Sequence, residues 1–164
     1  HFGPGFSNGE LHDVGMPFLI APGRVDPGRH AGIRRVLSDR YNLLGPFNDE
    51  ADADTPGLDT AALKTRTVTP AHRNFGEWRT PSLRGLSASA PYMHDGRFAT
   101  LREVVDFYAD DVHLDTPNFD DHMFAWKLGV VKLASNERED LVQFLEALTD
   151  SAFLTDPAFG PPVR

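Results

Sequence analysis

The chain has 164 residues, room for one domain of ordinary size and a short tail. Its 16 Lys and Arg against 24 Asp and Glu leave a formal charge of −8, which argues against a nucleic-acid-binding face and against a polybasic membrane anchor. There is no cysteine, so no disulfide, thiolate metal site or cysteine nucleophile exists in this chain, and no apolar run approaches the roughly 18 residues of a spanning helix.

Gly (14) and Pro (13) together make 27 of 164 residues, above the usual roughly 12%. Long ordered loops around a few helices are expected. The chain opens on HFGPGF, with neither an initiating Met nor a charged and apolar leader, as expected of a processed product or a piece of a longer chain. Residues 1–27 read as loop, punctuated by nine Gly and Pro. A short helix is predicted from Arg29 to Asp39, with Ile33, Val36 and Leu37 on one face. Gly45–Asp59 carries Asp49, Glu50, Asp52, Asp54 and Asp59 and reads as a solvated acidic loop, since it lacks the EF-hand calcium-loop pattern.

The first strong helix signal is at Thr100, which forms a capping box with Glu103. Leu101, Val104, Val105 and Tyr108 follow at i, i+3, i+4 and i+7, one buried stripe, and the helix is expected to end near Asp110. The last helix is predicted over Asn136–Thr149, with Ser135 as N-cap and Leu141, Phe144, Leu145 and Leu148 as its apolar face. The tail, 151–164, is expected to lie extended. Strand signals are weak throughout, so the class is mostly α with long irregular loops.

Seven histidines are present, with no H-x-x-x-H pair. Asp120 and Asp121 beside His122 read as solvated surface rather than a metal site. His12, His30, His72 and His113 read as surface or loop residues, and Trp78 and Trp126 as packing residues. The segment 74–108 carries more chemistry. Arg79 and Arg84 sit in a Pro-broken turn, and guanidinium forks suit carboxylates or propionates. A tight loop, Ala90–Gly96, projects Tyr92, Met93 and His94. Met, His and Tyr can all ligate iron, while Met93 as a core plug, His94 as a loop residue and Tyr108 as a core aromatic account for the same residues.

TPSLRGLSASAPYMHDGRFATLREVVDFY resembles the signature of the second haem domain of bacterial di-haem cytochrome c peroxidases and of the MauG branch of that family. LASNEREDLVQFLEALTD is similar to the family's last helix, and HFGPGFSNGELHDVGMP to the loop that opens on the histidine of its C-x-x-C-H haem motif. The resemblance implies a cytochrome c-like haem domain over 1–150, starting one residue after the second attachment cysteine. The cysteines and the first haem domain are missing from this sequence, so thioether attachment to a haem c cannot be made by this chain.

The resemblance also implies roles. His1 would be the proximal iron ligand. In the cytochrome c peroxidase branch the distal ligand is a Met fourteen residues after the H-D-G histidine; here that position, fourteen after His94, is Tyr108, as in the MauG branch. A phenolate donates more electron density than a thioether and should lower the haem potential. Met93 is the alternative ligand, and His94 would lie near the haem edge. Arg79 and Arg84 match basic positions near the propionates, with loop pinning equally open for Arg84. Calcium would bind the backbone carbonyls of Ser89 and Pro91, completed by a ligand from the first domain.

The implied function is the electron-transfer half of a periplasmic di-haem peroxidase, with two haems in the intact protein and one in this domain. Hydrogen peroxide would be the oxidant, and a protein substrate (MauG-like) or a small electron-donor protein (cytochrome c peroxidase) the partner. The isolated chain is expected to be inactive. A non-catalytic relay, or a haem-free domain, is the remaining reading.

Overall fold

The computed structural model describes residues 1, 3–16, 19–42, 45–47, 68–111 and 132–160. Most of the acidic stretch 45–59, together with His113, Asp120, Asp121, His122 and Trp126, lies outside the described residues. The described residues fall into two compact units: those of 1–10, 79–111 and 132–160, and those of 11–78. The stretch expected as one domain, 1–150, thus contributes to both. Helices carry most of the regular structure, and the strands are only two or three residues long. No helix among the described residues is long and apolar enough to cross a membrane.

The first unit is built on two helices. α2 (Leu101–Asp106) starts at the predicted capping box. Thr100 Oγ1 accepts the Glu103 N–H at 3.2 Å, and Glu103 Oε2 accepts the N–H groups of Thr100 and Ala99 at 2.8 Å each. These bonds satisfy donors that a helix start otherwise leaves open. Leu101 and Val105 of α2 bury themselves against Val142 and Leu145 of α3 (Ser135–Ala147). Leu83, Leu86, Tyr92, Leu133 and Leu141 close around them. Each such buried aliphatic contributes about 1.5–3 kcal/mol of transfer free energy.

Two details differ from the sequence expectation. α3 begins one residue early, with Ser135 inside the helix and Ala134 as the cap; the Ala134 N–H is taken by the Glu137 carboxylate at 2.8 Å, so no hydroxyl cap is needed. Its buried face runs through Val142 and Leu145, while Phe144 is 47% exposed and meets the ring of Phe6 edge-on at 6.4 Å. The partner α2 decides which edge of a broad apolar stripe turns inward, and it selects Val142.

The stripe on α2 also ends differently. α geometry stops at Asp106, and Phe107–Asp111 continue as a π-helical turn. A π turn holds an extra residue per hydrogen-bonded ring, which rotates every later side chain off the α wheel. Phe107 becomes the buried residue, 4% exposed, and Tyr108 is partly buried beside it.

The tail is not extended where it is described. Ser151–Thr155 form a one-turn helix, α4, because the Asp150 carboxylate accepts the Phe153 N–H at 3.1 Å. A 3-10 turn, Pro157–Phe159, follows with Asp156 as its cap, and the rings of Phe153 and Phe159 meet at 4.6 Å.

The second unit holds α1 (Arg29–Ser38), the predicted first helix. Ile33 is its buried residue; Val36 and Leu37 are exposed, so the expected three-residue face is reduced to one. Leu19–Ala21 (β2) pairs antiparallel with Arg24–Val25 (β3) around the Pro22–Gly23 turn. Two-residue strands also run over Leu11–His12 (β1) and Trp78–Arg79 (β4). Gly28 caps α1 at φ +56, and a Cβ there would stand 2.7 Å from the Glu77 carbonyl oxygen. That approach lets the Glu77 carbonyl take the Arg29 N–H at 3.0 Å while its carboxylate pairs with the Arg29 guanidinium at 3.0 Å.

Candidate functional site

All six residues singled out for cofactor binding lie in the first unit. His1 heads a loop that is strapped to the segment 80–84. Arg84 donates from Nε and Nη2 to the Pro4 carbonyl at 3.1 and 2.9 Å. Its guanidinium also sits 5.3 Å from the centre of the Phe6 ring. Ser82 donates to the Gly5 carbonyl at 2.7 Å, Ser7 donates to the Thr80 carbonyl at 2.7 Å, and the Thr80 N–H reaches the Glu10 carbonyl at 2.9 Å. Phe6 adopts φ +46, an unusual conformation for a residue with a side chain, and its carbonyl accepts from His1 Nδ1 at 2.9 Å.

That last bond matters chemically. A histidine whose Nδ1–H is committed to a backbone carbonyl has its tautomer and ring direction set and presents Nε2 as the metal donor. His1 is exposed and has this arrangement. Arg84 therefore acts on His1's loop through Pro4 and Phe6. Arg79 has an exposed side chain at the end of β4 and takes no part in this strap.

Tyr108 comes from the π turn. Its ring packs edge-on against Phe107 at 5.2 Å, and Phe107 lies 5.5 Å from Phe98. The residue as a whole is partly buried, but its surroundings desolvate the phenol and push its pKa up to about 12. Burial keeps this phenol neutral, so only a cation beside it would hold it as a phenolate.

Met93 and His94 lie on a loop closed by the Tyr92–Phe98 bridge, where the Tyr92 N–H donates to the Phe98 carbonyl at 2.7 Å. The Tyr92 hydroxyl donates to the Leu86 carbonyl at 2.8 Å, and burial, followed by the charge of Glu146, raises its pKa. Met93 is partly buried at φ +67, and His94 is exposed. Asp95 next to it pairs with Arg97 at 2.6 Å. Ser89 Oγ donates to the Leu86 carbonyl at 3.1 Å, and Pro91 follows a cis peptide bond. Among the described residues no three His, Asp or Glu side chains converge as a metal site.

Sequence reasoning passed over Phe6, Pro4 and Arg138. Arg138 donates to both Asp106 and Asp110, on either side of Tyr108. The only signal for it was an Arg in the first turns of the last helix, which is ordinary surface composition.

An imidazole with Nδ1 committed to a carbonyl, and a desolvated phenol, are a donor set that fits a haem iron. The residues present thus fit the group, although the chain has no cysteine to attach it covalently.

No family model matches the chain. It is 34% identical over 151 residues to the cytochrome-c peroxidase IdrP1 of Pseudomonas sp. (strain SCT), covering 92% of this chain and 36% of that protein. The chain is a homologue of the cytochrome-c peroxidases and of MauG. The cytochrome-c peroxidase IdrP2 of Denitromonas iodatirespirans is 32% identical over 91% of this chain and 35% of its own length. The methylamine utilization protein MauG of Methylorubrum extorquens is 36% identical over 81 residues, 49% of this chain and 21% of that protein. A solved MauG-like protein associated with microbial copper homeostasis shares 37% identity over 61% of this chain and 30% of its own, with a TM-score of 0.45. The chain spans about a third of the length of the two peroxidases, 36% and 35%.

Proposed function

We propose that this chain is the cytochrome c-like, electron-transfer haem domain of a periplasmic di-haem peroxidase of the MauG-like kind. Hydrogen peroxide is the oxidant, and a protein or an electron-donor partner is oxidised. Tyr108 carries this reading: it stands fourteen residues after His94, where the resemblance calls for the distal ligand, and its phenol is desolvated. When bound, the haem supplies reversible one-electron chemistry at its iron.

The chain's own residues do the rest. His1 offers Nε2 while the Phe6 carbonyl holds its Nδ1–H. Tyr108 would offer its phenol oxygen to the iron, its proton passing to solvent. Arg84 keeps the His1 loop in place by holding the Pro4 carbonyl. Phe107, backed by Phe98, packs edge-on against the Tyr108 ring and puts apolar surface beside the phenol. The backbone carbonyls of Ser89 and Pro91 are the donors this reading assigns to a calcium ion.

A second reading, reduction of hydrogen peroxide with electrons from a small cytochrome, is favoured by the names of the relatives that match most of the chain. In that case Met93 is the ligand in place of Tyr108.

The test is a pyridine haemochrome assay and absorption spectrum on haem-loaded protein containing this chain, with and without Tyr108→Phe. Loss of the ligand spectrum in the variant supports the MauG-like reading. A thioether spectrum indifferent to Tyr108 moves the function to the cytochrome c peroxidase reading. Absence of haem sinks both.

A further inference from the structure

Tyr108 stands between two carboxylates. Asp106 is the last residue of α2 and Asp110 lies inside the π turn. Like charges four residues apart on one helical stretch repel. Both are answered by one guanidinium from α3. Arg138 Nη1 donates to Asp106 Oδ1 at 3.0 Å and also to Asp110 Oδ2, and Nη2 donates to Asp110 Oδ1 at 2.8 Å. Its Nε donates to the Leu133 carbonyl at 3.1 Å. Every edge of the guanidinium is therefore committed, and the fork–fork pairing with Asp110 fixes direction as well as distance. Asp106 is shared with Arg102 of its own helix, at 3.1 and 3.0 Å, whereas Asp110 is reached from outside its turn by Arg138.

A π turn is a poorer winding than the α-helix and persists where neighbours hold it. Here the held points are Asp106, just before the turn, and Asp110 within it. If the turn rewound, the residues after Asp106 would rotate about the helix axis, carrying Phe107 out of the core and Tyr108 away from its present place.

We propose that Arg138 is a positioning residue for Tyr108: by latching Asp106 and Asp110 together it holds the π turn that presents the phenol. Its importance to the iron rests on the reading of Tyr108 as a haem ligand; its importance to the turn does not. Lys cannot replace it, because an ammonium is a point donor and lacks the fork that spans two carboxylates.

The first test uses the chain without haem. Tetranitromethane nitration is followed at each tyrosine by peptide mass spectrometry, with exposed Tyr41 and half-buried Tyr92 as internal references. Arg138→Gln should raise the nitration rate of Tyr108 several-fold and leave Tyr41 and Tyr92 unchanged. Arg138→Lys should resemble Arg138→Gln. Asp110→Asn removes the forked partner without touching α3 and should give the same selective change, so the test stands if Arg138→Gln fails to fold. Unchanged Tyr108 nitration, or a parallel rise at Tyr92, overturns the latch.

The second test uses haem-loaded protein. Arg138→Gln should shift the phenolate-to-iron absorption band at unchanged haem content. A band that Tyr108→Phe abolishes but Arg138→Gln leaves alone overturns the positioning role and keeps Tyr108 as ligand. Selective nitration together with a spectrum indifferent to Tyr108→Phe keeps the latch and overturns the ligand.

Discussion

Arg84 grips the carbonyl of Pro4 with two N–H groups, at 3.1 and 2.9 Å, from 80 residues away in sequence. The same guanidinium covers the ring of Phe6, whose carbonyl holds His1. The strap from the 80–84 segment to the first loop is thus the route by which a distant arginine sets the direction of the first histidine.

Removing that grip should loosen the loop without collapsing the core. Arg84→Met should cost about 1 kcal/mol in urea unfolding, since the contact is solvent-exposed and combines a charged hydrogen bond with a cation–π contact. Haem affinity of the loaded protein should fall with it. A variant with unchanged affinity would show that the strap does not act on His1.

The α2–α3 contact should dominate the stability of the first unit. Val105, 3% exposed, and Leu145, 7% exposed, sit where a truncation leaves a cavity. Leu145→Ala should cost about 2–5 kcal/mol and Val105→Ala somewhat less. Val36→Ala on α1, at 47% exposure, should stay within about 0.5 kcal/mol. Equal effects at Leu145 and Val36 would contradict this packing.

Acid should weaken the first unit. Hydrogen bonds from Arg138 hold Asp106 and Asp110 below the ordinary value of 3.8. Burial opposes ionisation of Asp95, but the hydrogen bonds and charge of Arg97 outweigh it and lower its pKa as well. The backbone N–H of Thr100 lowers Glu103 from 4.5. Depressed carboxylates contribute stability that is present above their unfolded values and lost as pH falls through the folded ones. Melting temperature should therefore drop between about pH 5 and pH 2, and Arg138→Gln should make the drop shallower. An equally steep drop in that variant would take Asp106 and Asp110 out of the explanation.

Alkali should act through Tyr108. Its phenol is raised from 10.0 to about 12 by burial, so the fold holds the neutral form. For a raised pKa the contribution is complete below the unfolded value and is lost as pH climbs through the folded one. The haem-free chain should lose stability between pH 10 and about 12, and Tyr108→Phe should flatten that loss. Superimposable alkaline curves for the two proteins would mean that the phenol already sits in water.

Local features were legible in the amino-acid sequence because their partners are near neighbours. The Thr100–Glu103 capping box joins residues three apart, and α1 and α3 follow from short-range periodicity. His1 and Tyr108 were legible as chemistry, since residue type and spacing carried the resemblance to the homologous peroxidases and MauG. Tertiary structure decided what depends on contact at long range. The choice of Val142 over Phe144 for the buried face depends on how α2 lies against α3. The π turn that moves Tyr108 off the α wheel is braced by Arg138, 28 residues beyond Asp110. The assignment of Arg84 to Pro4 needs the two ends of the segment brought together. The sequence offered His1 and Tyr108 as candidate iron ligands by resemblance; folding decided where each one is held, because hydrogen bonds and packing between distant segments leave no periodic trace along the chain.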